Sequence, residues 1–176
     1  MKKVIQGVMV SLIGIFLFTF NTKIDAAASL SSVTTGAEIN AITDLSLGNT
    51  NKSVIVFTLN NTNNSTGFRL TISSLKTGNL VRYIAPNYQT MTNTGNVAPY
   101  TFSWVPSTVS QGTLGWVEPS LPTNASLASP VTIDYVVNAA NTTVNYKYKF
   151  VITIPAKPAL FSGTFRDSIT LTMVDF

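Results

Sequence analysis

The chain is predicted to be all-β, an antiparallel sandwich or barrel, and three observations carry that prediction. Short segments rich in β-branched and aromatic residues recur at roughly 8 to 12 residue spacing, with Asn-, Gly- and Pro-rich stretches between them. Several of these segments alternate apolar and polar side chains, which places one face in a core and the other in water. No stretch combines a 3.6-residue apolar period with helix caps, and no repeat of fixed period occurs, which argues against bundles, solenoids and propellers.

The elements follow in order. Ser53 to Leu59 is apolar on both faces and suits a central strand. Asn60 to Gly67 is a turn or loop by its Asn, Ser and Gly content, and Phe68 to Ser73 then alternates with Phe68, Leu70 and Ile72 inward. Thr77-Gly78-Asn79 is a turn and Leu80 to Ile84 a short strand. Ala85 to Ala98, with Pro86, Asn87, Asn93, Gly95 and Asn96, reads as a long connection. Tyr100 to Val105 and Thr113 to Val117 are short strands carrying Trp104 and Trp116. Three prolines between Glu118 and Pro130 keep that segment out of a central strand. Val131 to Val137 puts Val131, Ile133, Tyr135 and Val137 on one face. After a turn at Asn138 to Thr143, Val144 to Ile154 exposes Lys147 and Lys149 and buries Tyr146, Tyr148, Phe150, Ile152 and Ile154, until Pro155 and Pro158 stop it.

Residues 1–28 read as a secretion signal rather than as part of the fold. A Met1-Lys2-Lys3 start precedes the apolar run Val8 to Phe20, and Ala26-Ala27-Ala28 supplies the small residues that a signal peptidase reads. The run is shorter than the roughly 20 residues needed to span a bilayer, so export is favoured over anchoring. The predicted destination is the periplasm in transit, then the cell surface or the medium, with no membrane span in the secreted part. Cleavage after Ala28 removes 28 of 176 residues and leaves 148, the size of one domain. Lys2, Lys3, Lys23 and Asp25 depart with the leader. Eight cations then face six acids, a net charge of +2 rather than +4, and no basic cluster calls for nucleic acid.

The composition is poor in catalytic groups. The chain has neither Cys nor His, which removes the thiol nucleophile, the commonest general base and the commonest metal ligands. Of the six acids Glu38, Asp44, Glu118, Asp134, Asp167 and Asp175, none sits in a motif for glycoside hydrolysis or calcium binding. No phosphate-binding Gly loop and no Gly-x-Ser-x-Gly elbow occurs. The expectation is a non-enzyme without cofactor or metal. Trp104, Trp116, Tyr83, Tyr88 and Tyr100 are the candidates for an aromatic sugar platform. For the tryptophans, set in apolar strands, filling the core is the preferred role.

The last fourteen residues carry the most specific signal. After Gly163, the odd positions Phe165, Ile169, Leu171 and Met173 are apolar and the even positions are Thr164, Arg166, Ser168, Thr170 and Thr172. The pattern Gly163-Thr164-Phe165-x-Asp167-x-Ile169-x-Leu171-x-Met173 resembles the closing strand of secreted pilin-like subunits. These are the spore coat protein U domain and the Cys-free alpha-type fimbrial subunits assembled by the chaperone–usher route. In this chain Asp175 is penultimate and Phe176 last, where those subunits often have a penultimate aromatic.

The resemblance implies an immunoglobulin-like sandwich that is incomplete until a donor strand completes it. It implies a structural subunit of a surface appendage or coat, whose partners are other copies or related subunits, a periplasmic chaperone and an outer-membrane usher. On that reading Gly163, Phe165, Ile169, Leu171, Met173 and Phe176 form the subunit and chaperone interface. Residues 29–40 become an N-terminal donor extension on a domain of residues 41–176, with Leu30, Val33, Ala37 and Ile39 as its plugs. Leu30 and Val33 are three apart and share a strand face only across a bulge. A plain first strand of a closed sandwich is the equal alternative for this segment. Two other functions compete: a secreted carbohydrate-binding or adhesin sandwich with a surface receptor or glycan, and, less favoured, a small outer-membrane barrel. The barrel needs apolar residues counting back in twos from Phe176, and that set turns polar after Val174.

Overall fold

A computed structural model describes residues 4–6, 21–23, 28–35, 48–61, 66–106, 116–117, 119–137 and 144–175. In chain order the strands are β1 (Val4–Gln6), β2 (Asn21–Lys23), β3 (Ala28–Thr35), β4 (Asn49–Asn61) and β5 (Gly67–Ser74). Next come β6 (Asn79–Ile84), β7 (Asn87–Tyr88), β8 (Val97–Pro99), β9 (Thr101–Pro106) and β10 (Trp116–Val117). β11 (Ala125–Ser126), β12 (Val131–Val137), β13 (Val144–Ile154), β14 (Thr164–Arg166) and β15 (Ile169–Asp175) complete the fold. A short 3₁₀ turn at Thr94–Asn96 precedes β8. Among the described residues no helix is long and apolar enough to cross a membrane.

The strands form a first sheet in the order β1-β2-β15-β5-β12-β10 and a second in the order β11-β9-β13-β4-β3. In a third, smaller sheet β6 pairs with β14 on one side and with β7 and β8 on the other. Pairing is antiparallel except where β2 runs parallel to β15. None of the three sheets closes on itself among the described residues, so the architecture is a sandwich and the barrel alternative does not apply.

The alternation read from the sequence becomes the core. Phe68, Leu70 and Ile72 of β5, Ile133 and Tyr135 of β12, and Ile169, Leu171 and Met173 of β15 line the inner face of the first sheet. Opposite stand Ile55, Phe57 and Leu59 of β4, Phe102 and Trp104 of β9, and Tyr148, Phe150, Ile152 and Ile154 of β13. All belong to one cluster, which Leu80, Ala98 and Phe165 of the third sheet extend. Aromatic contacts hold its centre: Trp104 stacks on Phe57 at 5.4 Å and on Tyr148 at 5.3 Å. Across the sandwich, the Trp104 Nε1–H donates to the Tyr135 hydroxyl at 3.0 Å, which satisfies a buried donor and ties the two sheets together.

β4 is central, between β13 and β3, as its two apolar faces require. The Pro-rich segment stays at the rim of the second sheet: β11 is an edge strand on β9, and the Pro122 carbonyl accepts from the Trp104 backbone N–H at 3.0 Å. Two readings need correction. The connection Ala85 to Ala98 contains β7 and β8, which pair with β6 and cover its outer side; its Asn and Gly content hid strands of two and three residues. The closing segment is two strands rather than one, in different sheets. Of the predicted turn Asn60 to Gly67, Asn60 and Asn61 belong to β4 and Gly67 to β5, while residues 62–65, the turn at 138–143 and most of the strand before Trp116 lie outside the described residues.

Candidate functional site

The closing segment changes sheets at Asp167. Gly163 opens it with φ +139°, and a Cβ there would stand 3.1 Å from Arg82 Nε, the atom that donates to the Ser162 carbonyl at 2.9 Å. β14 then pairs with β6, with Phe165 opposite Arg82. After Asp167 and Ser168 the chain enters the first sheet, where β15 pairs with β5 from Ile169↔Ser74 to Asp175↔Phe68.

Asp167 is fully buried and fixes that crossing. Its Oδ1 accepts from the backbone N–H groups of Lys76 at 3.0 Å and Ser168 at 2.7 Å. Its Oδ2 accepts from the hydroxyls of Ser74 and Tyr100, both at 2.6 Å. Ser74 Oγ in turn accepts from the backbone N–H of Gly78 at 2.7 Å, inside the β5–β6 turn where Thr77 and Gly78 take φ +51° and +75°. One carboxyl therefore anchors the end of β5, its turn, the start of β15 and the residue before β9. Burial raises the Asp167 pKa above the usual carboxylate range, against the opposing pull of its four donors. Burial first, and then the neighbouring carboxylate, raises Tyr100. Each Asp167 oxygen already accepts two hydrogen bonds, so the group is arranged to hold backbone in place rather than to move protons.

Asp134 is committed in a different way. On the outer face of the first sheet it accepts from Arg69 Nε at 2.6 Å and Nη2 at 2.7 Å, a forked pair directly across β12 and β5. The hydrogen bond from Arg69 holds the Asp134 carboxyl below its ordinary range. Among the described residues no group of three His, Cys, Asp or Glu is placed to hold a metal ion. Glu38, Asp44 and Glu118 lie outside the described residues.

The residues proposed for the interface fall as follows. Phe165, Ile169, Leu171 and Met173 are all within the chain's own core, and Gly163 is exposed at the start of β14. Phe176 lies outside the described residues. Among the described residues the outer edge of β15 is paired at Leu171↔Thr22 and Thr172↔Lys23, with β2 from the predicted leader. The donor candidate forms β3, an edge strand paired with β4 of the same chain, from Ala28↔Asn61 to Thr35↔Ile55. A register shift between Ser31 and Thr34 sets Ser32 and Val33 against the single residue Phe57, a β-bulge. Ala37 and Ile39 lie outside the described residues.

The aromatic platform divides. Trp104 and Tyr100 are buried in the core, Tyr83 and Tyr88 meet edge to face at the surface, and the Trp116 side chain is not described. In the sequence Asp167 stands out as one of six acids and as a letter of the closing motif, and Tyr100 as an aromatic-platform candidate; that the two meet each other and Ser74 is not legible there. The available signal was an acid in the inward phase between Phe165 and Ile169.

Compared with known protein families, curated proteins and solved structures, the chain matches none.

Proposed function

We propose that the chain is an exported, non-catalytic structural subunit of a bacterial surface appendage or coat, assembled by exchange of an N-terminal β-strand between copies. The observation that carries this reading is β3, a bulged strand that among the described residues is paired along one side, by β4. Removing β3 opens the backbone of β4, and the β3 of a second copy fits the same register. Strand exchange then restores every lost hydrogen bond at the cost of ordering a short extension. The closing motif, the leader and the absence of Cys and His point the same way. If the leader is removed, β15 becomes an edge of the first sheet, an exposed row of backbone groups that an export chaperone would need to cover. The immunoglobulin-like topology and the chaperone–usher route belong to this proposal.

The chain's lack of cysteine makes a direct test available. Ser31 and Thr58 are register partners, directly opposite each other on the neighbouring strands β3 and β4. With Ser31→Cys and Thr58→Cys together, surface-assembled protein is expected to run as a ladder of oxidised multimers on non-reducing gels. Formation of the intramolecular bond alone, with assembly intact, overturns strand exchange.

A further inference from the structure

The third sheet and the turn that leads into it from β5 present four side chains that the assembly reading does not use. Lys76 Nζ lies 3.9 Å from the centre of the Tyr88 ring, and the Arg166 guanidinium lies 4.0 Å from the centre of Tyr83. The two rings meet edge to face at 5.2 Å, where Tyr83 and Tyr88 are opposite each other on β6 and β7. All four are partly exposed. The result is a continuous row of cation, ring, ring, cation on one surface.

Two properties set this row apart from a merely solvated face. Among the described residues the ion pair is that of Arg69 with Asp134, so neither Lys76 Nζ nor the Arg166 guanidinium has a carboxylate. Asp167, the acid next to Arg166 in sequence, is buried with both oxygens occupied. The Tyr83 and Tyr88 hydroxyls likewise make no hydrogen bond among the described residues, in contrast to Tyr100, whose hydroxyl is bound. Stacking on the rings pre-orients both cations, which lowers the entropy lost on binding an anion.

We propose that this row binds an acidic polysaccharide, a sugar chain carrying carboxylate or sulfate groups. The cations would take successive anions, and the phenol hydroxyls, each both donor and acceptor, would take the sugar hydroxyls between them. A row of aromatic rings and cations whose side-chain polar atoms make no hydrogen bond or ion pair among the described residues suits a ligand that combines charge with hydroxyl groups. This site is independent of strand exchange and stands or falls by itself.

The test is binding of the purified full chain to polygalacturonate, to heparin, to neutral dextran, and to a single-stranded oligonucleotide of matched charge. Binding to one or both acidic polysaccharides, weakened by salt and absent for dextran, is expected. The polygalacturonate and heparin arms separate carboxylate from sulfate. Lys76→Gln with Arg166→Gln should weaken that binding at least about tenfold, and Tyr83→Phe with Tyr88→Phe about threefold or more, the loss of one hydrogen bond's worth of free energy. Lys147→Gln with Lys149→Gln, on β13 of the second sheet, serves as the equal-charge control and should change little. Equal affinity for the oligonucleotide, equal loss in the control, or no binding to either acidic polymer overturns the proposal. The thermal transition of each variant shows whether it remains folded.

Discussion

Replacing Asp167 separates its two roles, as an acceptor and as a charge. In Asp167→Ala the backbone N–H of Ser168 loses its acceptor, that of Lys76 keeps only its 3.1 Å bond to Ser74 Oγ, and the hydroxyls of Ser74 and Tyr100 lose their common acceptor. The hydroxyls can rotate toward other partners, but the backbone groups are fixed. A buried donor left unpaired costs about 1–3 kcal/mol, so with the weakened Lys76 bond the expected loss is about 2–4 kcal/mol, a large part of the total stability of a domain. Asp167→Asn has the same shape. Its carbonyl oxygen can take the two backbone donors and its NH₂ can donate to the Tyr100 hydroxyl, but Ser74 Oγ already accepts from the Gly78 and Lys76 N–H groups, so the Ser74 O–H loses its acceptor. The expected loss is about 1–2 kcal/mol, less than for Ala.

The pH dependence follows from the raised pKa of Asp167. Below the ordinary carboxylate range, near about 3.9, both folded and unfolded chains carry the proton and the contribution is complete. Between that range and the raised folded-state pKa, the folded chain holds a proton that the unfolded chain has released. Stability therefore falls as pH rises through this window, and is level above it. Urea unfolding of the wild type and Asp167→Asn from about pH 3 to pH 8 measures the difference. Relative to Asn, the wild type should lose stability as pH rises. A wild type that instead gains stability over Asn on raising the pH would show that the four donors outweigh burial and that the carboxylate is ionised. Equal damage from Asn and Ala would refute the acceptor argument itself.

Other substitutions probe the same construction. Tyr135→Phe removes the acceptor of the Trp104 Nε1–H bond between the sheets and should cost about 1–3 kcal/mol in urea unfolding, with a change in near-ultraviolet dichroism; a loss below about 0.5 kcal/mol would mean that the bond does not hold the layers. Gly78→Ala forces a side chain into φ +75° with its Cβ 3.2 Å from the Leu127 backbone nitrogen. It should cost about 1–3 kcal/mol, read as a lower thermal midpoint, and an unchanged midpoint would argue against strain at this turn.

Much of the layer structure was legible in the sequence because burial on one face of a strand imposes a period of two. β5, β12 and β13 show it plainly: Phe68, Leu70 and Ile72, then Ile133 and Tyr135, then Tyr148, Phe150, Ile152 and Ile154 are all buried, and the residues between them are less so or exposed. Very short elements escaped. β7 and β8 are too brief to show a period, and pairing with β6, a long-range contact, makes them strands. The closing segment misled in an instructive way. Its inward phase runs from Phe165 to Met173 with Asp167 as the one polar member, and there the backbone leaves one sheet and joins another, a step that does not disturb which side faces the core.

By itself the sequence determined the class of fold, the inward faces of the long strands, the poverty of catalytic groups and the closing motif, because these depend on residue type and local period. Tertiary structure decided which strands are neighbours. It placed Tyr100 and Ser74 on Asp167, Trp104 on Tyr135, and the tyrosines under Lys76 and Arg166. It also placed β3 on β4, the pairing on which the proposed exchange depends. Those contacts join residues distant along the chain, and a local pattern of side chains carries no information about which distant strand will supply the missing hydrogen bonds.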